Sequence, residues 1–426
     1  MKIEEIYQCY LQCTTVNTDT RKIETDSLFI ALKGENFDAN TFAQEALNKG
    51  ALFAIIDNKQ YFTDKDKMIL VSDSLKTLQE LARFHREQLG LPIIALTGSN
   101  GKTTTKELIN VVLSKKYNIK ATIGNLNNHI GVPLTLLSFN ENTDIGIVEM
   151  GANHQKEIEF LCSIALPDFG YITNFGKAHL EGFGGIKGVI KGKSELYIYL
   201  ETNKKVVFVN LDDAIQKNKT TQITCYTFSQ IEKADVIINS ISANPMVKIE
   251  FNQKTIQSHL IGIYNACNIN AAITIGKYFN VSDDEIKEAL ENYIPSNNRS
   301  QLIEKNTNHI ILDAYNANPS SMHAALTNFK QLKGDKIAIL GDMFELGDES
   351  LPEHTKIIES VTNSPEIECY FIGNDFNASK IKLAHIHYFA TFEDFSNSFK
   401  KLNLENKTLL IKGSRGMSLE RTLDIL

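Results

Sequence analysis

The chain has 426 residues, 42% of them hydrophobic, and a net charge of -7. That length divides into two or three domains, each able to bury its own core. The acidic balance excludes a broad nucleic-acid-binding surface, and no apolar run nears the ~18 residues needed to span a bilayer. Residues 1–10 carry acidic side chains and no apolar core of a secretory signal. The six cysteines, Cys9, Cys13, Cys162, Cys225, Cys267 and Cys369, are scattered without zinc spacing. That usage predicts reduced thiols in a cytoplasmic protein.

In chain order, residues 1–90 read as strands over 27–32, 51–57 and 68–72, with helices over 40–49 and 75–89. Alternating elements of this kind predict a small α/β domain. Two polar clusters flank its strands, Thr18-Asp19-Thr20-Arg21 and Lys33-Gly34-Glu35-Asn36-Phe37-Asp38-Ala39-Asn40. By residue type alone they are ordinary turns, since Gly, Asn and Asp favour turns anywhere.

Gly90-Leu91-Pro92 reads as a linker. Next comes an apolar run, 93–96, then Thr97-Gly98-Ser99-Asn100-Gly101-Lys102-Thr103 and a helical pattern over 104–113. Strand, glycine loop and helix start together make a phosphate site. Backbone N–H groups and the helix dipole favour an anion, Lys102 can reach the β- and γ-phosphates, and the Thr103 hydroxyl can hold Mg²⁺. Leu96 stands where the commoner P-loop has its first glycine, so this is a shorter form.

Further apolar runs at 145–150, 169–173 and 206–210 show little alternation, as parallel strands buried on both faces do. Polar residues follow at their C-terminal ends: Thr97-Gly98, Glu149, Thr173-Asn174 and Asn210. Ligands bind at that edge of open parallel sheets, so the phosphate loop, Glu149 and the segment after Thr173 are expected to line one cleft. Residues 235–258 read as edge strands. A helix over 264–279 puts Asn265 and Asn268 on one face.

Residues 294–298 form a second linker. Beyond it, strands at 310–313, 336–340, 369–372, near 386 and 408–411 alternate with helices at 321–332 and 352–361. The polar loops of this third α/β unit are 313–319, 341–347 and 412–416. The expected domains are therefore 1–90, 91–295 and 296–426. Among candidate chemical groups, Glu149 and Thr103 offer oxygen ligands to Mg²⁺. His179 stands behind the same sheet edge. Lys191 and Lys193 read from composition as a basic helix face.

The ordered motifs resemble the Mur ligases, which add amino acids to the UDP-muramoyl peptide of the bacterial cell wall. Thr97 to Thr103 is similar to their ATP loop. Asn125-Leu126-Asn127-Asn128-His129-Ile130-Gly131-Val132-Pro133 resembles the Asn-rich segment of the member that adds D-alanyl-D-alanine. So do the stretches Glu149 to His154, Thr173 to Glu181, Asp313 to Pro319, Gly341 to Gly347, and Lys412 to Gly416. The resemblance implies an α/β fold of three domains: a UDP-substrate domain, a central P-loop parallel-sheet ATPase domain, and a Rossmann-like C-terminal domain closing on the nucleotide. It implies an ATP-dependent ligase that joins D-alanyl-D-alanine to the C-terminal carboxylate of UDP-N-acetylmuramoyl-tripeptide through an acyl phosphate. It further implies a cytoplasmic monomer of peptidoglycan synthesis, with no nucleic-acid partner.

Carried over by position, Gly98, Ser99, Asn100, Gly101, Lys102, Thr103 and Thr104 would cradle ATP. Thr103 and Glu149 would hold a first Mg²⁺; His179 and a carbamylated Lys193, two before Glu195, would hold a second. Asn268 would meet the nucleotide base region, Arg299 the γ-phosphate and Asp313 the ribose. Thr20, Arg21, Lys33, Gly34, Asp38 and Asn40 would bind the UDP part. Asn127, Asn128, Asn316, Asn318, Lys412 and Ser414 would line the peptide and dipeptide end. One departure is Tyr264-Asn265, where the family usually has His-Asn. Alternatives are another ligase of the superfamily, of the folylpolyglutamate synthetase kind, a P-loop nucleotide switch, and a non-catalytic binding protein. The Asn125 to Pro133 and Asp313 to Pro319 segments count against the first. A switch would need a guanine-reading Asn-Lys-x-Asp, which is absent. Lys102, Glu149, His179 and Lys193 together count against the last.

Overall fold

The structure is a computed structural model describing residues 1–426. Three main sheets follow one another along the chain. The first has four parallel strands, in spatial order Val16–Asn17, Leu28–Ile30, Phe53–Ile56 and Met68–Leu70. Beside it, Lys33–Gly34 pairs with Phe37–Asp38 as a small hairpin.

The central sheet has nine strands. Seven run parallel, in the order Ile119–Ala121, Ile145–Glu149, Ile93–Thr97, Phe169–Ile172, Val206–Asn210, Thr224–Ser229 and Val236–Ala243. Met246–Phe251 and Lys254–Ile261 extend it antiparallel. Helices Lys102–Leu113 and Ala266–Tyr278 pack on one face through Leu108, Ile109, Val112, Ile269 and Ile273, all fully buried. Each such side chain contributes about 1.5–3 kcal/mol by leaving water. Helices Ser74–Leu89, Gly131–Leu137 and Glu157–Ala165 cover the other face through Leu78, Leu81, Val132, Leu136 and Leu161. Strand Ile93–Thr97 lies between Ile145–Glu149 and Phe169–Ile172, so the chain leaves it to one side and later returns on the other. Such a switch opens a crevice at the strands' C-terminal ends.

The third sheet has six strands, in the order Gln301–Lys305, Asn308–Asp313, Thr408–Lys412, Lys336–Gly341, Ile367–Ile372 and Ile386–Phe389. Its first pair is antiparallel and the others are parallel. No helix is long and apolar enough to cross a membrane.

Several elements differ from their sequence readings. The helix expected over 40–49 splits into a 3₁₀ turn, Ala39–Phe42, and a helix, Ala43–Asn48, because the Asp38 carboxylate caps the turn at the Asn40 N–H. The helix expected from 264 starts at Ala266, after the 3₁₀ turn Ile263–Asn265. There the Asn265 side chain donates back to the Ile261 carbonyl at 2.7 Å. Helices Ile3–Tyr10, Asp283–Asn292 and Phe392–Phe399, and strands Thr224–Ser229 and Gln301–Lys305, fall in stretches to which the sequence reading gave no element, although each of these helices buries one apolar face.

Candidate active site

A cleft of about 760 Å³ opens at the C-terminal edge of the central sheet and is walled on its far side by the third sheet's loops. Its floor is the phosphate loop. Gly98 and Gly101 lie at φ +137° and +80°, where side chains are disfavoured. A Cβ on Gly98 would collide with the Thr173 hydroxyl, and one on Gly101 would stand 2.5 Å from Asn268 Oδ1. Asn100 links the floor to its surroundings: its N–H donates to Asn174 Oδ1 (3.2 Å), and its carbonyl accepts from Thr173 Oγ1 (2.5 Å) and Asn174 Nδ2 (3.0 Å). Its Oδ1 accepts from Asn318 Nδ2 of the third unit at 2.7 Å. The Lys102 ammonium lies over its own loop, donating to the Gly98 carbonyl at 2.7 Å. Burial pulls its pKa down; nearby Glu149 opposes that and Arg299 adds to it.

Thr103 and Glu149 meet at this floor. Glu149 ends its strand fully buried, where Oε2 accepts from Thr103 Oγ1 at 2.9 Å and Oε1 from Asn127 Nδ2 at 2.8 Å. The backbone of Asn127 accepts from the Gly151 N–H, so the Asn-rich segment is fastened to the same strand end. Asn128 Oδ1 caps the next helix at the Ile130 and Gly131 N–H groups.

The opposite wall comes from residues 299–318 and 412. Asp313 and Lys412 form a mostly buried pair, Nζ to Oδ2 at 2.6 Å, and Lys412 also donates to the Asn316 carbonyl at 3.2 Å. The Arg299 guanidinium stacks on the Tyr315 ring, 3.5 Å from its centroid. His179, in the left-handed region at φ +52°, pairs through Nδ1 with the Glu345 carboxylate from the third unit. That partner holds the Glu345 carboxyl below its ordinary range. Lys177 reaches Glu353 across the same boundary at 2.7 Å.

Of the residues singled out from sequence, Ser99, Asn100, Gly101, Lys102, Thr103, Thr104, Asn127, Asn128, Glu149, His179, Asn268, Arg299, Asp313, Asn316, Asn318 and Lys412 line this cleft. The others do not. Gly98 underlies the loop. Ser414 is buried, with Oγ accepting from the Phe344 N–H at 2.9 Å, so it holds the 342–347 loop instead. Lys193 lies behind the wall formed by Ala152, donating to that residue's carbonyl at 2.9 Å, with its amine 5.0 Å from the Phe183 ring centroid. Burial drives its pKa well down, and neighbouring Lys102 adds to the effect.

Asn268 lies at the cleft with its side chain already partnered. Its amide is engaged by Thr105 Oγ1 (3.0 Å) and Asn265 Oδ1 (2.9 Å), and it packs under Gly101, beneath the phosphate loop. Thr20, Arg21, Lys33, Gly34, Asp38 and Asn40 all lie in the first unit, away from the cleft lining. There Lys33 pairs with Asp57 at 2.8 Å, while buried Asn40 bridges Asp38 and Asp57. Arg21 is exposed and paired with Asp19.

Asn174, named from sequence as a polar residue just past a buried strand, lines the cleft as expected, whereas sequence reasoning assigned no role to Tyr315, Glu345 or Lys177. The pairings of Glu345 and Lys177 span more than 160 residues and leave no local pattern.

With this geometry in hand, comparison with known proteins decides the family. The model of the Mur ligase middle domain matches residues 96–276, and that of the Mur ligase glutamate ligase domain matches 298–415. The chain belongs to the Mur ligase family. It is 34% identical over 419 residues to the UDP-N-acetylmuramoyl-tripeptide–D-alanyl-D-alanine ligase of Bacillus subtilis, covering 95% of this chain and 91% of that one. To the Escherichia coli ligase of the same name it is 33% identical, covering 96% and 93%. Among solved structures, MurF from Acinetobacter baumannii superposes with a TM-score of 0.88 at 30% identity, covering 99% of this chain and 97% of that one. MurF ligase from Thermotoga maritima, in complex with ADP, gives 0.85 at 26% identity, covering 98% and 97%. This Mur ligase thus matches those relatives over nearly its whole length, with both walls of the cleft inside the matched regions.

Proposed function

We propose that this Mur ligase joins D-alanyl-D-alanine to the C-terminal carboxylate of UDP-N-acetylmuramoyl-tripeptide at the expense of ATP, giving the UDP-muramoyl-pentapeptide, ADP and phosphate. The observation that carries the reading is one cleft in which a phosphate loop and a buried Thr103–Glu149 pair face Asn316, Asn318 and Lys412 from a different sheet. A triphosphate end and an acceptor end are thereby within reach of each other.

Forming an amide from a free carboxylate is uphill in water, so the carboxylate is activated first. Its oxygen attacks the γ-phosphorus of ATP, the bond to the β-phosphate oxygen breaks, and an acyl phosphate and ADP result. The dipeptide amine then attacks the acyl carbon, the C–O bond breaks, phosphate leaves, and the nitrogen gives up a proton. The first step brings two anions together. Lys102 and Arg299 supply positive charge against that repulsion, and the loop N–H groups fix the phosphate chain. No protein nucleophile is needed.

Thr103 and Glu149 present hard oxygen atoms side by side, a donor set that suits Mg²⁺ and would hold it there. Bound Mg²⁺ neutralises charge on the transferred phosphoryl group. His179, tied here to Glu345, and Lys193, held here behind Ala152, would each have to leave that partner to hold a second ion together. Burial pulls the pKa of the Lys193 amine well down, which favours the uncharged form that takes up CO₂ as a carbamate. Asp313 would meet the ribose and Asn127, Asn128, Asn316, Asn318 and Lys412 the peptide end, while the first unit would hold the UDP group. With Asn268 engaged beneath Gly101, its role would be to support the loop under the phosphates.

The test is phosphate release from Mg²⁺ and ATP, with the UDP-muramoyl-tripeptide and D-alanyl-D-alanine added singly and together. Release that needs both, with a product heavier by one dipeptide less water, is the expected result. Release with neither refutes the substrate assignment. For the carbamate, protein equilibrated with ¹³C-bicarbonate should show a carbamate carbonyl resonance that Lys193→Ala lacks. An identical spectrum for both would remove that assignment.

A further inference from the structure

The crossing from the central to the third sheet is a segment without helix or strand, from Tyr293 to Ser300. A linker free to swing would have no ties to the helices behind it, but side-chain hydrogen bonds hold this one to two of them. Near its start, the Tyr293 hydroxyl donates to the Glu107 carboxylate, and Asn297 Nδ2 donates to the same group at 2.9 and 3.1 Å. Glu107 stands on helix Lys102–Leu113, the helix that begins at the phosphate loop. At the far end, the Ser300 hydroxyl and the Tyr264 hydroxyl are 3.0 Å apart. Tyr264 leads into helix Ala266–Tyr278, which packs beside the first. The Ser300 N–H donates to Asp313 Oδ1 at 3.2 Å, so the same residue also touches the third sheet.

Arg299 lies between these fastenings. Its neighbours Asn298 and Ser300 both adopt left-handed backbone, at φ +55° and +50°. Asparagine takes that conformation readily, whereas serine does so rarely and keeps it with support from surrounding contacts. The contacts here are the two fastenings, together with the Tyr315 ring under the guanidinium. Two left-handed residues around one arginine fix the direction in which it leaves the chain, and that direction is into the cleft.

We propose that Tyr264 and Glu107 are positioning residues for phosphoryl transfer: each pins one end of segment 293–300 to a helix framing the phosphate loop, so that Arg299 is presented to the γ-phosphate. This rests on the function proposed above and on Arg299 acting in it. Neither residue touches the reacting atoms in this account; both act through Arg299.

The test compares wild type with Tyr264→Phe, Glu107→Gln and Arg299→Ala, and with each of the first two combined with Arg299→Ala. Tyr264→Phe keeps the ring and Glu107→Gln keeps the shape, so thermal melting is expected to report folded protein for both. Each single variant should lose about threefold to tenfold in kcat, the scale of one hydrogen bond. ADP has no γ-phosphate, so its Kd should stay within about twofold, the scale of independent effects. In the Arg299→Ala background, neither substitution should cost more than about a further twofold. Losses that multiply with Arg299→Ala, unchanged single variants, or a weakened ADP Kd would each overturn the positioning role alone. Absence of substrate-dependent phosphate release in the wild type would overturn the proposed function and this inference with it.

Discussion

Replacing Glu149 by glutamine separates a chemical role from a structural one. The buried carboxylate accepts two side-chain hydrogen bonds, from Thr103 and Asn127, while its own backbone N–H donates to Thr122 Oγ1 at 2.9 Å. Glutamine keeps the shape and one acceptor oxygen. Its NH₂ can donate to Thr103 once that hydroxyl turns, so both contacts survive as neutral bonds. A charge-assisted bond contributes about 1.5–3 kcal/mol and a neutral one about 0.5–1.5. The loss over two bonds, partly offset because no charge is buried, is about 1–2 kcal/mol. In a unit of this size that lowers the melting midpoint by about 2–8 °C, so the variant stays folded at 25 °C. Activity should respond far more strongly. A preorganised group in a phosphoryl-transfer site carries a factor of about 10² or more. The assay is substrate-dependent phosphate release alongside thermal melting. Activity within about threefold of wild type, with the modest loss of stability, would show that Glu149 only fastens the Asn127 segment, and would refute its metal-holding role.

Three further outcomes are expected. Gly101→Ala forces a left-handed alanine, costing about 1–2 kcal/mol, and presses its methyl group against Asn268. The KM for ATP should rise and the melting midpoint should fall by about 2–8 °C, and an unchanged KM would show that the loop adapts. Lys412→Met leaves the Asp313 carboxylate without its cation, so urea denaturation should show a loss of about 3–5 kcal/mol, smaller when Asp313→Leu is added. Buried His85 contacts Tyr7, Tyr10 and the Phe139 carbonyl, and burial holds its pKa below the ordinary 6.5. The unfolded chain therefore takes up the proton first, and stability present above pH 6.5 is lost as pH falls. Melting midpoints should fall between pH 7.5 and 5.5, less steeply in His85→Asn. The depressed carboxyls of Asp57, Glu345 and Glu353 lose their contributions only below the ordinary carboxylate range, outside that window.

The parallel strands were readable because strands buried on both faces are nearly continuous apolar runs, as residues 93–96 and 145–148 are before the polar Thr97 and Glu149 at their ends. The phosphate loop was readable because only glycine fits at Gly98 and Gly101, and because Lys-Thr follows at a helix start. Helix Asp283–Asn292 had two local signals that the sequence reading did not use, the capping box of Ser282 and Glu285 and the apolar face of Ile286, Ala289 and Leu290. What sequence could not show is burial relative to a wall. Lys191 and Lys193 lie two apart, yet Lys191 is exposed and Lys193 is buried behind Ala152. Nor could it show the pairing of His179 with Glu345, since only the packing of two separate sheets brings these residues together.

The acyl phosphate is the centre of this account, and oxygen transfer tests it most directly. UDP-muramoyl-tripeptide labelled with ¹⁸O in its C-terminal carboxylate would be turned over with ATP, Mg²⁺ and D-alanyl-D-alanine, and the released phosphate analysed by mass. One carboxylate oxygen should appear in each phosphate, because the C–O bond breaks when the amine displaces it. Phosphate carrying no label would mean that ATP is hydrolysed without activating the carboxylate, and would contradict the mechanism.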